Sequence, residues 1–117
     1  MMLDWNQYRQ ELLNRIGKLG QLNPPTVRGY RQLGEARAGA KLDGKTRELI
    51  ALAVAVTRQC DGCITTHVDA AMKHGAAPEE IAEALGVAVA VNAGAALVFS
   101  ARVMDAVANY NSDSTNV

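Results

Sequence analysis

At 117 residues and 49% apolar content, the chain is one domain with room for a single core. Aromatics are only 4% of it, so the core is built from Ala, Val, Leu and Ile, which suits close-packed helices better than a sandwich. Twelve Lys/Arg balance twelve Asp/Glu, leaving no electrostatic footprint for nucleic acid. The charges are uneven: residues 1–58 hold ten basic and five acidic groups, residues 59–117 two and seven, which fits either solvated faces of different helices or docking of one half on the other or on another subunit.

Along residues 4–18, Trp5, Tyr8, Leu12 and Ile16 recur at helical spacing, with Asp4 placed to cap the start and Gly20 beyond the end. Asn23-Pro24-Pro25 breaks the chain. Val27, Tyr30 and Leu33 suggest a short helix that fades through Gly34 and Gly39. Asp43 reads as the cap of a third helix running to Thr57, with Leu49, Leu52, Ala53 and Val56 on one stripe. Ile50 and Val54 widen that stripe into a mostly buried helix. A fourth helix is predicted over 61–74, ended by Gly75 at the position where a left-handed residue closes a helix.

Ala77-Pro78-Glu79-Glu80 is a strong start signal, since Pro fits the first helical position and acids complement the N-terminal dipole. Ile81, Ala84, Leu85, Ala88 and Val89 carry a fifth helix to Val91; residues 92–94 read as a joint, and a sixth helix covers 95–109. The fold class is therefore all-α, a compact bundle of about six helices over residues 1–110, with a polar tail at 111–117 predicted to be disordered.

Residues 84–101 lack charge over 18 positions, close to the length of a membrane span, but Gly86, Asn92, Gly94 and Ser100 interrupt them. The first residues, Met1-Met2-Leu3-Asp4-Trp5, show neither the basic nor the apolar region of a signal peptide. The expectation is a cytoplasmic protein with no membrane partner, in which a cysteine pair is catalytic or metal-binding more often than a structural staple. The Ala/Gly content of 84–101 permits close helix approach, and an intersubunit contact is favoured.

Cys60-x2-Cys63-x3-His67 lies at the start of the fourth helix. Residues three, four and seven apart share a helical face. His67 is then about 6 Å along the axis from Cys63 and about 10 Å from Cys60, so Cys63 is the sulfur that the imidazole serves and Cys60 the resolving partner. Helix-start amides favour thiolate over thiol, and Glu48, on the helix expected to pack against the fourth, is the candidate to orient His67. Zinc is the competing reading, with Cys60, Cys63 and His67 as ligands and Glu48 or His74 as the fourth, but ligands on consecutive turns of one helix make a poor tetrahedron. His74 reads as a helix-end cap, and Arg58 as either a surface residue or an attractor of anions.

The segment from Asp43 to Val54, the Glu48-x11-Cys60-x2-Cys63-x3-His67 spacing and Gly75-Ala76-Ala77-Pro78-Glu79-Glu80-Ile81 together resemble the AhpD-like alkylhydroperoxidases of the carboxymuconolactone decarboxylase superfamily. The resemblance covers about residues 40–107. It implies an all-helical homo-oligomer, trimer or hexamer, without a bound cofactor or metal. It also implies a hydroperoxide substrate and an external dithiol or reductase protein as reductant. By position it gives Cys63 the attack on peroxide, Cys60 the closing of the disulfide, and His67 and Glu48 the proton relay. Gly62 departs from peroxidases of this branch that carry a histidine between the cysteines. The decarboxylase branch lacks the pair, so decarboxylation is the less favoured alternative. A non-enzymatic redox-sensing or partner-binding module using the same disulfide is the other.

Overall fold

The computed structural model describes residues 1–114, and among them every regular element is a helix. Helix α1 (Trp5–Leu22) starts on Asp4, whose carboxylate accepts the N–H of Gln7 at 3.1 Å. It runs one turn further than its apolar spacing predicts. Helix α2 (Pro24–Gly34) begins with Pro24, whose missing N–H costs nothing there, and buries Val27 against α1. Helix α3 (Gly44–Arg58) is capped as predicted by Asp43, which accepts the N–H of Thr46 at 2.8 Å. Hydrogen bonding to Thr46, its side chain first and its N–H second, holds the Asp43 carboxyl below its usual range.

Helix α4 (Asp61–Lys73) ends at His74 and turns through Gly75, whose φ of 81° is left-handed. The N–H of Ala76 then returns to the carbonyl of Ala71 at 3.0 Å, as the sequence signal requires. Helix α5 (Pro78–Ser114) starts at the expected proline. Glu80 accepts the N–H of Ala77 at 2.9 Å and pairs with Lys45 of α3 at 2.8 Å. Lys45, first, and the Ala77 amide behind it hold the Glu80 carboxyl below its ordinary range.

The joint expected at residues 92–94 is absent. Helix α5 continues through it for 37 residues, so five helices replace the expected six. Asn92 does not break the helix because its amide donates to the carbonyl of Ala88 at 2.7 Å and to the Thr57 hydroxyl of α3 at 2.8 Å. The helix includes 111–114 of the predicted tail, and residues 115–117 lie outside the described residues.

Helix α3 is central, packing against α4 on one side and the first half of α5 on the other, while α1 packs on α4 and α2. The core is small: Leu52, Ala71 and Ala76, with Leu49 and Ile81 against them. Helix α3 is not mostly buried in the single chain. Leu52 and Ala55 are, but Ile50, Val54 and Val56 are exposed, because nothing in one chain covers their side of the helix.

The single chain is elongated, 61 × 39 × 39 Å with a radius of gyration of 20.5 Å, against about 13 Å for a compact domain of this length. The second half of α5 accounts for this. Leu97, Val98, Phe99, Val103, Met104 and Val107 are 61–75% exposed and point to several sides of the helix. By length and composition, Pro78–Asn111 is also apolar enough to cross a membrane.

Candidate functional site

The site is built by the short turn from α3 to α4. Gln59 takes a left-handed conformation, φ 52°, which reverses the chain within two residues. The N–H groups of Gln59 and Cys60 return to the carbonyls of Val56 and Ala55 at 3.3 and 3.2 Å. Cys60 thereby becomes the N-cap of α4, and its Sγ accepts the N–H of Cys63 at 3.2 Å. Cys60 and Cys63 are joined in a disulfide with their Cα atoms 5.2 Å apart, inside the window such a bond allows. Both are half-buried.

One turn on, His67 faces α3. Its Nδ1 lies 2.6 Å from Oε2 of Glu48, with the two side chains 30% and 21% exposed. A carboxylate offers only acceptors, so Nδ1 carries the proton and donates it. In the neutral ring Nε2 is then the unprotonated nitrogen, an acceptor for a thiol or hydroxyl proton. The structure thus joins Cys60 with Cys63 and His67 with Glu48, α3 supplying the carboxylate across a helix–helix contact.

Helix α1 roofs the cysteine turn. A Cβ added at Gly62 would lie 2.9 Å from Cδ2 of Leu12, so the space beside the cysteines is filled from α1. Any side chain at position 62 would have to displace Leu12. The buried Thr65 donates its hydroxyl proton to the carbonyl of Trp5 at 3.1 Å, and Arg9 faces Asp69 at 3.8 Å. Trp5, Leu12 and Thr65 were not among the candidate site residues. The 5, 8, 12, 16 apolar stripe marks α1 as packed, but nothing in the sequence says on what.

His74 stands at the other end of α4. Its imidazole lies over Gly44, where any Cβ would collide with the ring, so it wedges the start of α3 against the end of α4. Among the described residues no group of three or more His, Cys, Asp or Glu is placed to hold a metal ion. Arg58 is exposed in the last turn of α3.

The family model for carboxymuconolactone decarboxylases matches residues 24–106, a stretch that contains Glu48, both cysteines and His67. The chain belongs to the carboxymuconolactone decarboxylase family. It is similar to a carboxymuconolactone decarboxylase family protein from Legionella pneumophila whose apo crystal structure is known. The TM-score is 0.70 at 34% identity, over 87% of this chain and 92% of that one. A structure from Methanobacterium thermoautotrophicum matches with TM-score 0.64 at 30% identity, over 71% of this chain and 94% of its own. An uncharacterised protein of Haemophilus influenzae is 47% identical over 91% of this chain and 95% of its own length. The family fold is thus the frame that carries the disulfide and its Glu–His pair.

Proposed function

We propose that the chain is a thiol-dependent peroxidase of the alkylhydroperoxidase type, cycling Cys60 and Cys63 between dithiol and disulfide. The observation that carries this reading is the 2.6 Å contact of His67 with Glu48 on the face that bears the cysteine pair. In the reduced protein, Nε2 of His67 takes the Cys63 thiol proton. The thiolate attacks the outer peroxide oxygen, the O–O bond breaks, and the alkoxide leaves with that proton as an alcohol while Cys63 becomes a sulfenic acid. Cys60 then attacks the sulfenic sulfur, forming the disulfide and releasing water. An external dithiol or reductase protein restores both thiols by exchange. No bound cofactor or metal takes part in this cycle.

The N-cap position of Cys60 supports its resolving role. The Cys63 N–H that reaches its sulfur, with the helix dipole, stabilises a thiolate there. The same feature favours a second reading, in which Cys60 is the attacking sulfur of a disulfide reductase and peroxide is not the natural oxidant. The decisive assay follows consumption of tert-butyl hydroperoxide with dithiothreitol or dihydrolipoamide as reductant. Many turnovers, lost in Cys63→Ser, are expected. Turnover of disulfides alone selects the second reading, and a single oxidation that only alters assembly selects a redox-sensing module.

Homo-oligomerisation, as a trimer or hexamer in the cytoplasm, belongs to the same proposal. A helix apolar on all sides is an interior helix, and one chain covers only the first half of α5. Arg102 and Asp105 in the exposed half argue for burial between subunits over burial in lipid.

A further inference from the structure

A recess of about 350 Å³ lies between α1 and α4, lined by Trp5, Asn6, Arg9, Ile64, Thr65 and Val68. Its α4 wall is not independent of the cysteine site. Residues four apart stack along one ridge of a helix, so Ile64 and Val68 form a ridge beside that of Cys63 and His67. The recess therefore borders the ridge of α4 that carries Cys63 and His67. It has three apolar walls, Trp5, Ile64 and Val68. Thr65 offers no free proton there, because its hydroxyl is committed to the Trp5 carbonyl.

Arg9 is the one cation of this lining. Its charge is only loosely met: Asp69 stands 3.8 Å away and is held at 2.9 Å by Lys73, whose hydrogen bond is the first cause of its lowered carboxyl pKa. The other contact of Arg9 is the neutral side-chain carbonyl of Asn6 at 3.1 Å. A guanidinium so placed retains donors for a bidentate carboxylate. An apolar cleft of this size with one oriented cation suits a small amphiphile rather than a sugar or a nucleotide.

We propose that this recess binds a short or medium-chain organic acid, its hydrocarbon part against Trp5, Ile64 and Val68 and its carboxylate on Arg9. Resting on the peroxidase reading above, the substrate class is a carboxylate-bearing hydroperoxide. It leaves as the corresponding hydroxy acid while Cys63 is oxidised to the sulfenic acid.

Binding is testable without turnover, because Trp5 is the chain's single tryptophan and lines the recess. Octanoate is titrated into the full-length protein against octan-1-ol, with Trp5 fluorescence as the readout. The expected result is a saturable change with octanoate at about tenfold lower Kd than with the alcohol, the size of one charge-assisted contact. Arg9→Gln is expected to remove that preference and leave alcohol binding unchanged, and Val68→Phe to weaken both ligands by filling the recess. No saturable change with octanoate, equal affinity for acid and alcohol in the wild-type protein, or equal weakening of both by Arg9→Gln overturns the proposal. Octanoate binding with the expected preference but no turnover of any hydroperoxide upholds the acid site and refutes the peroxidase reading alone.

Discussion

Replacing Glu48 by Gln isolates the charge that faces His67. The amide oxygen still accepts the Nδ1 proton, so the ring keeps its orientation and Nε2 stays the base. The imidazolium formed when His67 takes the Cys63 proton, however, no longer faces a carboxylate at 2.6 Å. A charge-assisted hydrogen bond contributes about 1.5–3 kcal/mol and a neutral one about 0.5–1.5 kcal/mol. The difference is about 1–1.5 kcal/mol, and side chains that remain 30% and 21% exposed place it toward the lower end. At 1.4 kcal/mol per factor of ten, the step slows by about five- to tenfold. Glu48→Ala removes the orientation as well and slows it by about a hundredfold. The measurement is single-turnover loss of free thiol after mixing reduced protein with tert-butyl hydroperoxide, with helical content and thermal midpoint as controls. A Glu48→Gln protein that folds normally and reacts at the wild-type rate refutes the relay and leaves His67 acting alone.

Val98→Asp places a charge on the exposed apolar half of α5, where Val98 is 74% exposed in the single chain. Sedimentation is expected to show dissociation toward monomer at micromolar concentration, and unchanged assembly counts against α5 as the interface. Gln59→Gly relieves a non-glycine residue at φ 52° and is expected to stabilise the fold by up to about 1 kcal/mol in urea unfolding. Activity should be kept, since the turn itself is preserved. Glu80 has a lowered folded-state pKa, so its pairing with Lys45 stabilises the fold above the ordinary carboxylate range and is lost as pH falls through the folded value. Glu80→Gln is accordingly expected to lower the urea midpoint near neutral pH and to match the wild-type protein in strong acid. A deficit that persists in acid refutes the charge of Glu80 as its cause.

What was legible rests on local geometry. Cys63 and His67 share a face of α4 by spacing, with Cys60 at its N-cap, and Asp43, Gly75 and Pro78 punctuate the chain through rules that act within one turn. Glu48 was reachable because a carboxylate before an apolar run stands out. What stayed hidden is what one element does to another. Asn92 and Gly94 look like a break, and Gly costs a helix only about 1 kcal/mol. The Thr57 hydroxyl that gives Asn92 a partner is 35 residues away. Likewise, no local rule announces that Leu12 covers Gly62, or that Trp5 receives the Thr65 hydroxyl.

The hidden contacts give α1 a meaning its sequence lacks. Through Leu12, Trp5 and Arg9 it touches three successive turns of the cysteine helix, while Glu48 of α3 meets His67 on a different face of that helix. The cysteine turn is thus held between the Glu48–His67 pair on one side and α1 on the other. Leu12 is the α1 residue that meets the turn at Gly62. Because that contact is a single aliphatic side chain on a separate helix, the packing beside Gly62 depends on how α1 sits on α4.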